Sequence, residues 1–312
     1  MSMWDRRLLV VMGKGGVGKT TCTAAMGLAA AASGKRVCLL EIDGAHRLAT
    51  LFGRPRQYAP QTVSPGVDLM SMTARECTDD FGTRKLRLGG LSRVLFNNRI
   101  LSAFLDAVPG LNDLLQLGKV ENMLLEPLDD EPHYDLIVLD APATGHGLTL
   151  LSSARSMTEM TRSGPFYDLA RKIDLLVGDT DKTATVVVTL PEELPINEAT
   201  DLIDALSASG PPIDAVLVNR TLPDALEQDG VPWNRVRASL DDAGPAHRQL
   251  ADLCERFVAR RHAQQAAIRV LRSELAERNL DVPVLAVGQR AELRAALGQL
   301  GLDLRDAYEQ VA

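Results

Sequence analysis

Short apolar runs, many of them β-branched, alternate along the chain with longer stretches that have helical spacing. The apolar runs are Leu8–Met12, Val37–Ile42, Val67–Met72, Tyr134–Leu139, Thr185–Leu190, Ala215–Val218 and Val282–Val287. Nearly every run is apolar throughout, which is typical of strands that are buried on both faces of a sheet. The pattern therefore predicts an α/β fold, in which helices flank a parallel sheet on both sides.

The clearest helical stretch follows the first apolar run. It extends from about Lys19 to Ser33, contains six alanines, and is followed by Gly34, a residue type that commonly ends helices. A later stretch, from Thr221 to about Pro245, is rich in Asp, Gly and Pro and predicts an irregular surface connection. Helical spacing resumes after it and continues through Arg278.

The alternation is interrupted between residues 74 and 128, where no convincing strand pattern is present. Apolar residues recur at helical spacing from Leu91 to Val108, and Pro109-Gly110 ends that helix. The chain is thus predicted to be one domain, residues 1–312, with a helical insertion at about 74–128. The apolar stripe either packs on the rest of the domain, which is the commoner use of an amphipathic helix, or lines a groove for a partner.

A glycine-rich segment, GKGGVGKTT at residues 13–21, lies between the first apolar run and the first helix. It fits the phosphate-loop (P-loop) pattern G-x-x-x-x-G-K-[ST], in which backbone N–H groups cradle a polyphosphate. The residues predicted to line that cradle are Gly13, Gly15, Gly16, Val17 and Gly18. Lys19 is predicted to reach the β/γ-phosphates of ATP, and the Thr20 hydroxyl to join the shell of a Mg²⁺ ion. The chain is therefore predicted to bind ATP or ADP together with Mg²⁺.

Two aspartates stand where neighbouring strands are predicted to end. Asp43 ends LLEID, and Asp140 ends YDLIVLD. Ligands of open parallel sheets bind at the carboxyl ends of the strands, so either aspartate could hold Mg²⁺ through its waters or orient the attacking water. The alternative for each is a helix cap or a turn, but the occurrence of both in register with the P-loop favours function.

Two loops around these aspartates are predicted to act as nucleotide-dependent switches. They are Gly44–Leu48 and Ala141–Leu148, and both contain small residues that suit a loop that must rearrange on hydrolysis. His46 and His146 lie in these loops. Neither has a carboxylate or cysteine partner in sequence, so loop-fixing hydrogen bonds are favoured over metal ligation.

Composition excludes several classes of protein. The 312 residues include 34 basic and 41 acidic side chains, for a formal charge of -7, so no general attraction to nucleic acid is expected. The four cysteines are far apart and lack the spacing of a zinc site. No apolar stretch reaches the roughly 18–20 residues of a membrane span. The chain is predicted to be a soluble, cytoplasmic protein with no integral membrane segment.

The quoted motifs resemble those of a known family. GKGGVGKTT resembles the deviant Walker A loop of the dimeric P-loop ATPases, which include nitrogenase iron protein and the MinD/ParA positioning ATPases. Within that class, residues 43–48 (DGAHRL) are similar to the D-P-A-H-S/N-L switch of the arsenite-pump and tail-anchored-protein-targeting ATPases. Residues 140–146 (DAPATGH) are similar to the D-T-A-P-T-G-H switch of the same branch. The likeness extends from Leu8 to about Arg220 and is weaker beyond.

The resemblance implies roles for particular residues. Lys14 would cross a dimer interface to the nucleotide of the other subunit. Asp43 would position or activate the attacking water, and Asp140 would act on Mg²⁺ through water. Thr21 would touch the α-phosphate, and Asn219, at the end of a strand, would read adenine.

This chain also departs from the family. Gly44 replaces the switch proline and Arg47 replaces a small polar residue, so the coupling of hydrolysis to movement is expected to differ. The C-x-x-C that bridges zinc between subunits in the targeting enzyme is absent, as is the cysteine cluster of the arsenite pump. The chain has half the length of the duplicated arsenite-pump subunit, so two chains must supply the dimer.

The leading hypothesis is a Mg²⁺-dependent ATPase that closes as a dimer around two nucleotides and thereby changes a surface for a protein or hydrophobic client. A homodimer is expected, and a heterodimer with a paralogue stays open. The alternative is a positioning or scaffold ATPase of the ParA/MinD kind, in which slow hydrolysis serves as a timer. The T-G-H switch and the long insertion argue against that alternative.

Overall fold

The computed structural model describes residues 3–42, 46–84, 108–125, 133–223, 233–288 and 293–311. Within these ranges eight strands form one sheet, in the order β3-β4-β2-β5-β1-β6-β7-β8. The strands are β1 (Leu8–Met12), β2 (Val37–Ile42), β3 (Gln61–Ser64), β4 (Val67–Met72), β5 (Leu136–Asp140), β6 (Thr183–Thr189), β7 (Ile213–Thr221) and β8 (Val284–Gly288). All neighbouring strands run parallel except β3 and β4. The predicted α/β fold with a parallel sheet is confirmed.

The burial of the central strands explains why apolar runs in the sequence predicted them. Every residue of β1, β2, β4 and β6 is buried. Successive side chains of a strand point to opposite faces, and those of β1 accordingly enter two separate cores. Leu8 and Val10 lie in one core cluster, whereas Leu9 and Val11 lie in the other. Most positions of a strand of this kind are therefore apolar.

Strand β3 was not predicted. It pairs antiparallel with β4 at the edge of the sheet, with a register shift between Thr62 and Ser64. Its four residues, QTVS, are only partly buried and mostly polar, so they carry no apolar run. Gly66 turns the chain into β4 with a φ of +75°. The edge position therefore explains the missing signal.

Helices cover both faces of the sheet in the described part of the chain. They are α1 (Lys19–Ala32), α2 (Arg47–Leu51), α3 (Ala74–Arg84), α4 (Leu111–Leu125), α5 (Thr144–Met160), α6 (Pro165–Gly178), α7 (Glu193–Ser209), α8 (Trp233–Asp242), α9 (Pro245–Glu277) and α10 (Leu293–Val311). Helices α1 and α10 pack together on one face, where a Cβ at Gly301 would lie 2.2 Å from the Ala25 carbonyl oxygen. Buried side chains of α4, α5, α6 and α7 pack on the other face. No described helix has both the length and the apolar character that a membrane crossing requires.

The prediction for the stretch from Thr221 to about Pro245 is partly wrong. It was expected to be irregular, but α8 occupies Trp233–Asp242 within it. None of the α8 side chains is fully buried, although Trp233, Val236 and Leu240 recur at helical spacing and are partly buried. Arg237 attaches it to α9 through ion pairs with Asp252 and Glu255. The helix that was predicted to follow, through Arg278, is confirmed as α9.

The predicted insertion at 74–128 is described only at its two ends. These ends are the helices α3 and α4, which pack against each other, and the Lys119 ammonium on α4 lies 3.3 Å from the Asp80 carboxylate on α3. Most of the apolar stripe from Leu91 to Val108 lies outside the described residues. Its packing, and the division of the chain into one domain with an insertion, stay predictions.

Candidate active site

The P-loop connects the carboxyl end of β1 to the start of α1, and its backbone requires glycine at both ends. Gly13 has a φ of +145°, and a Cβ there would lie 2.2 Å from the carbonyl oxygen of Val188. Gly18 has a φ of +99°, and a Cβ there would lie 2.1 Å from the side-chain nitrogen of Asn219. An L side chain at either position would therefore meet both strain and a clash. The loop is shaped by β6 and β7 as well as by its own sequence.

Lys19 lies at the floor of this loop. Its ammonium is buried and donates hydrogen bonds to the carbonyl oxygens of Gly13, at 2.9 Å, and Lys14, at 3.2 Å. Burial lowers the pKa of Lys19, the Asp140 carboxylate opposes that change, and the charge of Arg47 adds to it. The loop therefore wraps around a fixed cation, as a polyphosphate site requires.

Thr20 and Asp140 meet beside Lys19. The Thr20 hydroxyl donates a 2.6 Å hydrogen bond to Oδ2 of Asp140 at the end of β5. The other carboxylate oxygen, Oδ1, is buried and has no hydrogen-bond partner among the described residues. Burial raises the pKa of Asp140 to about 6, against the lowering effects of the Thr20 hydrogen bond and the Lys19 charge. A hydroxyl and a carboxylate with a free oxygen are the hard donors that Mg²⁺ prefers, so these residues fit that ion.

The raised pKa of Asp140 predicts that the stability of the fold depends on pH. The folded state holds a proton on this carboxyl up to a higher pH than the unfolded chain does, so stability falls as the pH rises through about 4 to 6. Asp140→Asn removes the buried charge. In the absence of nucleotide and Mg²⁺ we expect it to raise the free energy of unfolding by up to about 3 kcal/mol at pH 8. Urea denaturation of both proteins at pH 8 and pH 4 measures this, and a difference that is equal at the two pH values would contradict it.

Glu41 is a site residue that sequence reasoning missed. Its buried carboxylate accepts a hydrogen bond from the Leu48 backbone N–H at 3.0 Å and another from the Ser71 hydroxyl at 2.6 Å. His46, which has a left-handed φ of 51°, places Nδ1 3.9 Å from the same carboxylate. Glu41 therefore ties the start of α2, within the predicted first switch, to strand β4. The available signal was a charged residue inside the apolar run LLEID.

The second predicted switch, residues 141–148, is only partly a loop. Helix α5 begins at Thr144, so the T-G-H portion forms its first turn, with Ala143 as the residue before it. The backbone N–H groups of His146 and Gly147 both donate to the carbonyl oxygen of Ala143. The prediction of a loop over the whole stretch is wrong because the residues after the proline continue directly into a helix.

Lys14 is held within its own chain. Its ammonium forms an ion pair with Glu198 on α7, and the Lys14 side chain is 41% exposed. The lysine thus lies at the surface beside the P-loop and does not line the cleft described below. Its predicted role toward the nucleotide of another subunit stays a prediction.

Asn219 supports the P-loop from β7. Its side-chain nitrogen donates to the Val17 carbonyl oxygen at 2.8 Å, and its side-chain oxygen accepts from the Arg220 backbone N–H at 2.9 Å. Arg220 has a left-handed φ of 59° and lines the same cleft as the P-loop. The hydrogen bonds give Asn219 a structural role, and its predicted contact with adenine stays a prediction.

These residues surround a cleft of about 710 Å³, a size within the roughly 300–1,000 Å³ of small-molecule sites. The predicted residues that it brings together are Gly15, Gly16, Gly18, Lys19, Thr20, Thr21 and Asp140. Gly13, Val17 and Asn219 lie behind this surface and shape it. Residues that line the cleft without having been predicted to bind nucleotide include Glu41, Ile42, Arg47, Thr50, Leu51 and Arg220. Asp43, Gly44 and Ala45 lie outside the described residues.

Several known proteins are similar in sequence to this chain. A protein-family profile described as an anion-transporting ATPase (ArsA ATPase) matches residues 6–165 and 157–241. ATPase BagA of Mycobacterium tuberculosis is 29% identical over 323 aligned positions, which cover 95% of this chain and 94% of that protein. ATPase ASNA1 homolog 1 of Paramecium tetraurelia is 26% identical over 251 positions, covering 69% of this chain and 74% of its own. ATPase GET3C of Arabidopsis thaliana is 24% identical over 271 positions, which cover 72% of this chain and 69% of that protein.

Proposed function

The chain belongs to the anion-transporting (ArsA) ATPase family and hydrolyses ATP, and we propose that it does so as a Mg²⁺-dependent dimer whose closure changes a surface for a partner or client. The observation that carries this proposal is the contact between Thr20 and Asp140, 2.6 Å apart, on the wall of a cleft that the P-loop also lines. A P-loop threonine and a strand-end aspartate are the groups that hold Mg²⁺ in P-loop ATPases.

Within one subunit the chemistry consists of positioning and charge stabilisation. Lys19 and the P-loop N–H groups bind the phosphates and stabilise the charge that develops on them. Thr20 and Asp140 would hold Mg²⁺, the latter through water, and the ion would neutralise charge on the β- and γ-phosphates. Asp43 orients the attacking water and accepts its proton. The ionised form of Asp140 is the one that serves this site.

Lys14 supplies a second cation across the dimer interface. Its ion pair with Glu198 is partly exposed, and exposed pairs contribute only about 0–1 kcal/mol, so little is lost when the ammonium moves to a triphosphate. The triphosphate carries more charge than one carboxylate and competes well for the lysine. Each subunit therefore completes the site of its neighbour.

The hydrogen bonds of Glu41 could transmit a movement of the first switch to a client surface. This carboxylate connects α2 to Ser71 on β4, and β4 leads directly into α3 at the predicted insertion. A movement of the first switch on hydrolysis would thus be transmitted to the base of the insertion. The client is a protein or a hydrophobic segment, and its binding surface changes with the nucleotide state.

Sedimentation and phosphate release test the proposal together. We expect phosphate release from ATP that stops when Mg²⁺ is chelated, and a dimer with ATP that ADP does not support. A Lys19→Ala variant is the matched control. It loses the phosphate-binding cation, so it should neither release phosphate from ATP nor form a dimer with ATP. A protein that hydrolyses ATP while remaining monomeric at saturating ATP would contradict the dimer, and Mg²⁺-independent phosphate release would contradict the metal site.

A further inference from the structure

Arg47 is a cation in the nucleotide cleft that the proposed mechanism does not use. It is the first residue of α2, and its side chain is exposed. It lines the cleft together with Lys19, Thr20 and the P-loop glycines. Its guanidinium forms no hydrogen bond or ion pair with any residue of the described part of the chain.

Arg47 lies within electrostatic reach of both sides of the phosphate site. Its charge lowers the pKa of Lys19 on the P-loop side and the pKa of Asp140 on the Mg²⁺ side. Arg47, Lys19 and Asp140 line one cleft, so a phosphate bound there would come within reach of the guanidinium as well as of Lys19.

The surroundings of Arg47 leave its guanidinium available to an anion in the cleft. Arg47 and Lys19 repel each other across the cleft, and no described carboxylate pairs directly with the arginine: Glu41 accepts hydrogen bonds from Leu48 and Ser71, and one oxygen of Asp140 accepts from Thr20. A planar guanidinium without a partner is well suited to bind two phosphate oxygens at once. A polyphosphate would convert the repulsion into a shared attraction.

We propose that Arg47 binds the γ-phosphate of the nucleotide in its own subunit and so makes this site prefer ATP over ADP. The inference rests on the proposed function, because it takes the cleft to be the nucleotide site. The first switch then contributes a cation of its own, in addition to Lys19 and to Lys14 from the other subunit. Binding of the γ-phosphate would also fix the start of α2, and its release would free that helix.

Equilibrium binding of Mg²⁺ with either ADP or the non-hydrolysable ATP analogue AMP-PNP tests this role. Arg47→Ala should weaken AMP-PNP binding about 10–100-fold, the effect of losing hydrogen bonds to a charged group, and change ADP binding by less than about 3-fold. Arg47→Lys should recover part of the loss, since it keeps the charge but not the bidentate geometry. Arg54→Ala is the matched control, because Arg54 is exposed nearby but does not line the cleft, and it should bind both nucleotides normally.

Two results would overturn the role of Arg47. Unchanged AMP-PNP affinity in Arg47→Ala would show that the side chain does not touch the γ-phosphate, and an equal loss for both nucleotides would show a structural effect. Failure of the unmodified chain to bind either nucleotide is a different outcome, since it would overturn the proposed function together with this inference.

Discussion

Lys14→Ala is expected to lower the rate of ATP turnover by about 10³–10⁵-fold at saturating ATP, the loss typical of a missing cation supplied in trans. In the proposed dimer the ammonium would stabilise charge on the phosphoryl group of the neighbouring subunit in the transition state, and no other lysine of the loop can replace it, because Lys19 is buried in the loop of its own subunit. Folding should be preserved, since the Lys14 side chain is 41% exposed. Phosphate release at saturating ATP measures the effect.

Glu198→Gln is the control that separates the ion pair of Lys14 with Glu198 from its proposed contact with the nucleotide of the other subunit. It removes the ion pair within the chain but leaves the lysine available to the other subunit, so turnover should be kept or raised. Unchanged turnover in Lys14→Ala would refute the role in trans. A loss of similar size in both variants would show that the ion pair, and not the transfer of the cation, supports activity.

Asp43→Asn is expected to lower turnover about 10²–10⁴-fold, the contribution of a positioned general base, while ATP binding is retained. The amide keeps the size of the side chain but cannot accept the proton that Asp43 is proposed to take from the attacking water. The variant should therefore accumulate as the closed, ATP-loaded dimer. Sedimentation with ATP measures this state, and a variant that stays monomeric with ATP, or that hydrolyses ATP normally, would contradict the assignment.

The P-loop and the parallel sheet were predictable because their signals are local. A strand buried on both faces is mostly apolar, and a loop that bends with positive φ favours glycine, as at Gly13 and Gly18. The strand-end position of Asp140 was also predictable, since parallel strands end at one edge of the sheet and β1 and β5 are neighbours there.

The features that sequence reasoning missed depend on contacts between distant segments. Glu41 becomes a site residue only because β4 brings Ser71 to it. The ion pair of Lys14 joins residues 184 positions apart, and no local pattern identifies Glu198 as the partner. Helix α8 is a different case, since Trp233, Val236 and Leu240 recur at helical spacing within it, but the Asp, Gly and Pro residues around this short helix indicate an irregular connection.

Arg47 illustrates how a departure from the family pattern acquires meaning from structure. The sequence identified it only as a replacement for a small polar residue in the first switch. It lines the same cleft as Lys19 and Thr20, which puts the replacement at the proposed phosphate site. A switch with its own cation responds to the γ-phosphate by charge as well as by shape.

A mixture of the Lys14→Ala and Asp43→Asn variants tests the exchange of lysines between subunits most directly. In a mixed dimer, the site of the Lys14→Ala subunit keeps its own Asp43 and receives Lys14 from the other subunit, so it is complete. We predict that an equal mixture, in which each variant alone is nearly inactive, recovers about a quarter of the activity of the unmodified protein, as random pairing requires. A mixture no more active than the average of its two components would contradict the account.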